Sequence, residues 1–238
     1  MLSGVPPREL IGEGRALQVP WLGLVQFATK KWLEAYKKSE KFKAQFINRM
    51  AKAFPTGRFE NWGICQSLFP HTQKAIDYRP DDEESQKEWA FLLYKGGWYA
   101  LEQGKYTTSE TMAEMSRDIR ETLLGPDHPD TLASTRDLAS IYRNQGRWKE
   151  AESLEVQVME TRKTVLGPDH PHTLNSMNNL AFTWKSQGRT ADAIRLLEDC
   201  IQSRIRVLGP DHPHTLSSLS ALKSWHRELS SSGNDSVE

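Results

Sequence analysis

The chain has 238 residues, of which 37% are hydrophobic and 26% charged, so it is long enough and apolar enough to form a packed core. Its 31 lysine and arginine residues balance its 31 aspartate and glutamate residues, which excludes a global charge bias toward nucleic acid or an anionic membrane. Two cysteines are too few for a disulfide framework, and no apolar stretch approaches the roughly 20 residues that span a bilayer. We expect a cytoplasmic protein, since the start of the chain also lacks a hydrophobic signal core.

The N-terminal third is predicted to consist of a tail over residues 1–20 and a divergent helical lead-in hairpin over residues 21–80. Within the hairpin, residues 30–52 hold eight basic and two acidic residues. Large apolar residues recur at helical spacing through the same segment, which indicates an amphipathic helix with a basic outer side. Binding of nucleic acid phosphates by this helix is a less favoured alternative function.

A sequence repeat dominates the rest of the chain. The nonapeptide Leu-Gly-Pro-Asp-His-Pro-His-Thr-Leu stands at residues 166–174 and 208–216, and a near copy occupies residues 124–132. At the same 42-residue spacing, Gln-Gly-Arg at 187–189 and 145–147 matches Gln-Gly-Lys at 103–105. A fixed period of this size is the signature of a stacked array of small units.

Each unit is predicted to be a helical hairpin, because apolar residues recur three and four apart on both sides of the Gln-Gly-Arg turn. The glycines of the nonapeptide are expected to cap the second helix with a left-handed backbone, and its prolines and threonines to begin the next helix. These residues are Gly125, Gly167 and Gly209, then Pro129, Pro171 and Pro213, and the candidate N-caps Thr131, Thr173 and Thr215. The predicted fold class is an all-α superhelix of such hairpins over residues 81–229, closed by one unpaired helix and a polar tail at 230–238.

The linker and several short motifs resemble a known family. Asn-Leu-Ala at 179–181, Gln-Gly-Arg at 187–189, the small Ala151 and Ala193, and the Leu-Gly-Pro-Asp-His-Pro linker resemble tetratricopeptide repeats of the kinesin light chain type. The resemblance covers residues 83–229, with a degenerate first copy that has Gly-Gly at 96–97. It implies a non-catalytic scaffold that binds short peptides carrying tryptophan among acidic residues.

The lead-in segment carries a second resemblance, to fungal NB-ARC and tetratricopeptide proteins of the STAND class. Residues 24–34, Phe-Pro-Thr-Gly at 54–57, Asn-Trp at 61–62 and Leu-Phe-Pro-His at 68–71 resemble the segment that joins their nucleotide-binding module to the repeats. This implies the sensor part of an immune or incompatibility receptor as an alternative function. The chain has no Walker-type phosphate loop, so neither nucleotide nor any other cofactor is expected.

One stripe on the first helix of each hairpin is predicted to line the concave groove of the array. In chain order the candidate binding residues are Tyr94 and Trp98; Arg136, Ser140 and Arg143; Asn178, Phe182 and Lys185; and Ser220, Ser224 and Arg227. Aromatic residues and arginine dominate the binding energy of many interfaces, and the basic residues favour an acidic partner. We therefore expect a peptide ligand that is acidic and carries an apolar anchor.

The histidines and glutamates suggest two other site types. His170 and His172 form a His-x-His pair that repeats at 212 and 214, but the pairs lie in adjacent units, too far apart to share a zinc ion. We expect His128, His170 and His212 to form hydrogen bonds within the linker and to seat one hairpin on the next. Glu150, Glu152 and Glu155 are expected on the surface, and no catalytic motif is present, so the chain is predicted not to be an enzyme.

Overall fold

The chain divides into two units, residues 1–42 and 43–238, and the repeat array lies in the second. The computed structural model describes residues 38–232 and, before them, residues 28, 29, 31, 32 and 35. Every regular element among the described residues is helical, which confirms the predicted all-α class.

Nine α-helices lie within residues 38–232, and from the fourth onward alternate helices begin 42 residues apart. They are α1 (Ser39–Ala53), α2 (Trp62–Ala75), α3 (Glu83–Glu102), α4 (Tyr106–Leu124), α5 (Pro129–Asn144), α6 (Trp148–Leu166), α7 (Pro171–Ser186), α8 (Thr190–Leu208) and α9 (Pro213–Ser232). From α3 onward each helix packs against the next one in the chain, so α3–α4, α5–α6 and α7–α8 are three successive hairpins. The predicted tail 1–20 lies outside the described residues. Of the predicted tail 230–238, residues 230–232 belong to α9 and residues 233–238 lie outside the described part of the chain.

The histidine of the linker, and not the threonine, caps the first helix of each repeat. Helices α5, α7 and α9 begin at proline, as the sequence predicts. The Nδ1 atom of His170 accepts the backbone N–H of His172 at 3.1 Å, and His128 and His212 make the same bond. Thr173 instead donates its hydroxyl to the carbonyl of Gly167 at 2.9 Å. The predicted hydrogen bonds of the linker histidines are confirmed. The prediction that the threonines are N-caps is wrong, because the preceding imidazole already accepts the free N–H of the first turn.

The linker glycines have a positive φ but not the left-handed helical ψ. Gly167 has φ 95° and ψ 159°, and Gly125 and Gly209 have nearly the same angles. This region of backbone space is almost restricted to glycine. The Gly167 N–H still donates to Lys163 O at 3.1 Å, so the helix ends on a helical hydrogen bond and the chain then turns sharply.

The lead-in helices share a core with the first repeat. Trp89, on α3, donates its indole N–H to the carbonyl of Ala75 at the end of α2, at 2.7 Å. Lys95, also buried on α3, donates to the carbonyls of Ala51 and Phe54 at the end of α1. These bonds to carbonyl groups at the helix ends attach α1 and α2 to the array.

Candidate partner-binding groove

Four of the predicted binding residues line one cavity between the first two repeats. Tyr94 and Trp98 come from α3, and Arg136 and Ser140 from α5. The cavity has a volume of about 340 Å³, and Leu101 and Ile141 complete its apolar lining. A concave site of this size with a few polar groups is typical of a small ligand or a single anchoring side chain.

The cavity exists because two repeat positions carry unusually small side chains. Ala113 lies in its lining, whereas the positions 42 and 84 residues later hold Glu155 and Leu197, both buried. Gly97, also in the lining, stands where the next repeats have alanine. In the later repeats side chains occupy this space, whereas in the first repeat it stays open.

Tyr94, in the aromatic wall of the cavity, contacts a cation. The guanidinium of Arg120 lies 4.6 Å from the centre of the Tyr94 ring, a cation–π contact. Burial, reinforced by the neighbouring Asp137 carboxylate, raises the pKa of Tyr94 to about 12, so its hydroxyl remains neutral. Arg136 and Asp137 form an ion pair at 2.6 Å in the same lining. Burial lowers the pKa of Arg136, but Asp137 and Tyr94 together more than offset this effect and leave a net rise.

In the second repeat, the predicted cation Arg143 already has an acidic partner. Its Nη1 atom lies 3.4 Å from an oxygen of Glu155, whose side chain is only 3% exposed. The expectation that Glu155 belongs to the surface is wrong, because its position in α6 is a core position in the other repeats. Burial raises the pKa of the Glu155 carboxyl, more than Thr183 and Arg143 lower it.

In the third and fourth repeats, three of the six predicted residues form side-chain contacts with another helix of the chain. Phe182 packs edge-on against Trp225 with ring centres 5.0 Å apart, and Lys185 pairs with Glu228 at 2.7 Å. Asn178 accepts a hydrogen bond from Ser218 at 2.8 Å. The remaining predicted residues, Ser220, Ser224 and Arg227, are exposed on α9. None of these six residues lines the cavity of the first two repeats.

Sequence reasoning missed a row of buried arginines at the 42-residue period. Arg120, Arg162 and Arg204 are 7%, 6% and 3% exposed. Each donates from Nη1 to a backbone carbonyl and to a serine hydroxyl of the helix that begins the next repeat. Arg120 bonds Asp130 O at 3.0 Å and Ser134 at 2.9 Å, and Arg162 bonds His172 O at 3.3 Å and Ser176 at 2.9 Å. Arg204 bonds His214 O at 2.8 Å and Ser218 at 2.6 Å. The signal that could have found them is the repeat alignment itself, which places arginine and serine in register three times.

A second depression, of about 690 Å³, lies at the hairpin turns, where its lining groups bond to one another. Arg189 pairs with Glu152 at 2.7 Å, and the Gln187 amide donates to the same carboxylate at 2.8 Å. One repeat earlier, Gln145 and Arg147 bond Glu110 in the same way. The repeated Gln-Gly-Arg turn therefore joins consecutive hairpins.

A metal site and a reactive thiol have little support in the described part of the chain. His170 and His172 have ring centres 5.2 Å apart, and no three metal-ligating side chains are grouped there as a metal site requires. Cys65 and Cys200 are buried free thiols, and burial raises the pKa of both. No helix in the described ranges is both long and apolar enough to cross a membrane.

Comparison with known proteins agrees with this geometry. Models of the tetratricopeptide repeat match residues 90–164 and 173–214. Over 111 residues, the chain is 35% identical to a nucleotide-binding leucine-rich repeat (NLR)-like protein of Hyaloscypha variabilis; the match covers 47% of this chain and 11% of that protein. The chain thus spans only about a tenth of that relative.

Solved structures share the fold at low sequence identity. The nearly identical TPR-like repeats of a Podosopora anserina kinesin light chain superpose with a TM-score of 0.60 at 21% identity, covering 80% of this chain and 87% of that one. BtubC (BKLC) from P. vanneervenii gives 0.56 at 17% identity, covering 83% and 85%. The chain therefore contains tetratricopeptide repeats, and it has the fold of kinesin light chain-like arrays.

Proposed function

We propose that the array is a non-catalytic interaction module that binds a peptide segment of another protein, with the cavity at Tyr94 and Trp98 as its anchor point. The observation that carries this proposal is the open space over Ala113, which the equivalent Glu155 and Leu197 fill in later repeats. Aromatic walls around an open, partly polar cavity favour a large apolar side chain as the anchor. The other predicted groove residues, from Asn178 to Arg227, would contact the remainder of the segment.

The proposed partner segment is acidic beside its apolar anchor. Arg136 lines the cavity, whereas Arg143 and Lys185 each face a carboxylate of the chain itself. An incoming carboxylate would have to compete with Glu155 or Glu228 for the latter two. The cations around Arg136 are therefore the main support for an acidic partner.

The test is to fill the cavity with the side chain that the fold already accepts at the equivalent position two repeats further along the array. Short random peptides displayed on phage are selected on the wild-type chain and then tested against Ala113→Leu, which copies Leu197. We expect enriched peptides with an aromatic or large aliphatic residue next to Asp or Glu, and at least tenfold weaker binding to the variant, about 1.4 kcal/mol.

The matched control is Ser153→Leu, which adds the same side chain at an exposed position of α6. It should leave binding unchanged. If the selected peptides bind Ala113→Leu as tightly as the wild type while its helical circular dichroism is intact, the cavity is not the anchor site.

A second candidate function is the sensor part of a larger nucleotide-driven receptor. The observation that favours it is the 35% identity to an NLR-like protein that is much longer than the matched segment. Sequencing the gene upstream of Met1 tests this. An in-frame nucleotide-binding loop would support the receptor assignment, and a stop codon directly before Met1 would contradict it.

A further inference from the structure

A small polar cavity lies at the linker between the first and second repeats, which we call the first linker. Its volume is about 200 Å³, and five of its six lining residues are polar. The lining residues are Arg117 and Glu121 from α4, Pro126 from the linker, Thr131 and Thr135 from α5, and Gln157 from α6. None of them lines the anchor cavity at Tyr94 and Trp98.

The next two linkers carry apolar residues at the positions that make this cavity polar. The residues equivalent to Arg117 and Thr135 are Met159 and Met177 at the second linker, and Ile201 and Leu219 at the third. Glu121 is replaced by lysine and then by isoleucine, 42 and 84 residues later. Because the same pairs of helices pack with apolar side chains there, packing does not require the polar set at the first linker.

The hydroxyl of Thr131 is buried and makes no hydrogen bond. The residue is 2% exposed, and its Oγ1 atom has no partner among the described residues. At the second linker the equivalent Thr173 donates its hydroxyl to Gly167 O at 2.9 Å. Thr215, at the third, also has no partner, but the neighbouring positions of its linker are apolar. A buried hydroxyl without a partner costs free energy, which a ligand that bonds Thr131 would recover.

The uncompensated charge of the cavity is negative. Arg117 donates to Asp118 through Nε at 3.0 Å and Nη2 at 2.6 Å, so its charge already has a counter-ion. Glu121 is exposed and has no ion-pair partner in the part of the chain that the structure describes. Gln157 makes no side-chain hydrogen bond within residues 38–232, so its amide oxygen is available as an acceptor. The cavity therefore favours a cation over an anion.

We propose that this cavity binds a primary ammonium group, such as the end of a lysine side chain of a partner protein. An ammonium group has three donors and no acceptor. Glu121 offers the opposite charge, and the oxygens of Thr131 and Gln157 offer two further acceptors in the same lining. A divalent metal ion would need more oxygen ligands than this single uncompensated carboxylate provides. The site shares no residue with the anchor cavity, so the inference does not depend on the proposed function.

Two probes isolate the ammonium group. N-acetyl-L-lysine amide and N-acetyl-L-norleucine amide have the same aliphatic side chain, and only the first ends in an ammonium. Both are titrated into the ¹⁵N-labelled full chain by NMR at low salt. We expect the lysine derivative to bind at least about threefold tighter than the norleucine derivative and to shift amide signals of residues 117–135.

Charge variants of the lining give opposite expectations. Glu121→Gln should bring the lysine-to-norleucine affinity ratio close to one, whereas Arg117→Gln should raise the ratio by about twofold, because it removes a like charge. The matched control is Asp199→Asn, which removes an exposed carboxylate from α8 and should leave the ratio unchanged.

The hydroxyl of Thr131 is tested by Thr131→Val, which keeps the shape of the side chain. Binding of the lysine derivative should weaken by about threefold, while the urea midpoint of unfolding stays unchanged or rises, since no bond within the chain is lost. Thr173→Val should instead lower the midpoint, because it removes the bond to Gly167 O. If both valine variants lower the midpoint alike, the Thr131 hydroxyl has a structural role and is not a ligand group.

Three results would overturn the ammonium site: no binding of the lysine derivative, equal binding of the two probes, or no effect of Glu121→Gln. Displacement of the lysine derivative by an equal concentration of MgCl₂ would assign the cavity to a metal ion instead. Putrescine distinguishes the sources of the ammonium. If it binds more weakly than the lysine derivative, the ligand is a lysine of a partner, and if it binds more tightly, the ligand is a free amine.

Discussion

At the scale of single residues, the most consequential side chains are those whose charge is buried without a full counter-charge. Arg162 on α6 reaches the start of α7, where it bonds the carbonyl of His172 and the hydroxyl of Ser176. Such a bond connects one hairpin to the next and so contributes to the stability of the array.

Replacing Arg162 by Met should lower the free energy of unfolding by about 2 to 4 kcal/mol, because the carbonyl and hydroxyl lose a charged donor while the side-chain volume is nearly retained. Urea denaturation followed by circular dichroism measures the change. Arg195→Met, at an exposed position, should change stability by no more than about 0.5 kcal/mol. Equal effects of the two substitutions would contradict the role of Arg162.

The stability of the array should also depend on the charge of His172. His172 is exposed, but partial desolvation together with the nearby Arg162, His170 and Arg136 lowers its pKa below the usual 6.5. The folded chain therefore prefers the neutral imidazole, so His172 contributes stability above about pH 6.5 that is lost as the pH falls toward its lower folded pKa.

We expect the midpoint of urea unfolding to fall between about pH 7 and pH 5, and to fall less steeply in His172→Gln. Parallel pH profiles for the two proteins would show that His172 does not contribute to this acid sensitivity.

At the scale of elements, the linker glycines decide where the second helix of each repeat ends. Gly167 combines φ 95° with ψ 159°, and no atom lies within 4 Å of the position that a Cβ would occupy. The requirement for glycine is therefore conformational and not one of space. An L-residue at this position would be strained whatever room it had.

Gly167→Ala should lower the free energy of unfolding by about 1 to 3 kcal/mol, measured by urea denaturation. The matched control is Gly63→Ala in α2, which also meets no neighbouring atom but has an ordinary helical backbone. That change should be neutral or stabilising by up to about 1 kcal/mol, because alanine favours a helix. A loss of stability for both variants would contradict the conformational explanation.

At the scale of the whole array, each hairpin is held mainly by its neighbours in the chain. Trp89 and Lys95 attach the lead-in helices at one end, and Phe182 and Trp225 pack together near the other. In a stack of this kind, stability is close to a sum of local terms and nearest-neighbour contacts. Damage at one end should therefore stay local.

Trp89→Phe removes the hydrogen bond to the carbonyl of Ala75 and should reduce hydrogen-exchange protection of residues 62–75 by about tenfold, with little change at residues 171–208. Trp184→Phe, which removes a 2.7 Å bond to Glu152, should show the reverse pattern. Uniform loss of protection in either variant would indicate that the array unfolds as one cooperative unit instead.

The sequence alone determined the fold, the period and part of the candidate site. Apolar spacing and the linker glycines and prolines act over one or two helical turns, so they can be interpreted without a structure. The repeat alignment also placed Tyr94, Trp98, Arg136 and Ser140 on one stripe, and these four side chains do meet in one cavity.

Only the tertiary structure decided which charges are free. Arg143 meets Glu155 twelve residues away, Lys185 meets Glu228 at a separation of 43 residues, and Arg162 reaches Ser176 across fourteen. The burial and pairing of a charge depend on such neighbours from other helices, whose distances no local pattern specifies. The space over Ala113 likewise appears only when α3, α4 and α5 are packed together, because an alanine in a helix has the same local pattern whether its neighbours close over it or leave a cavity.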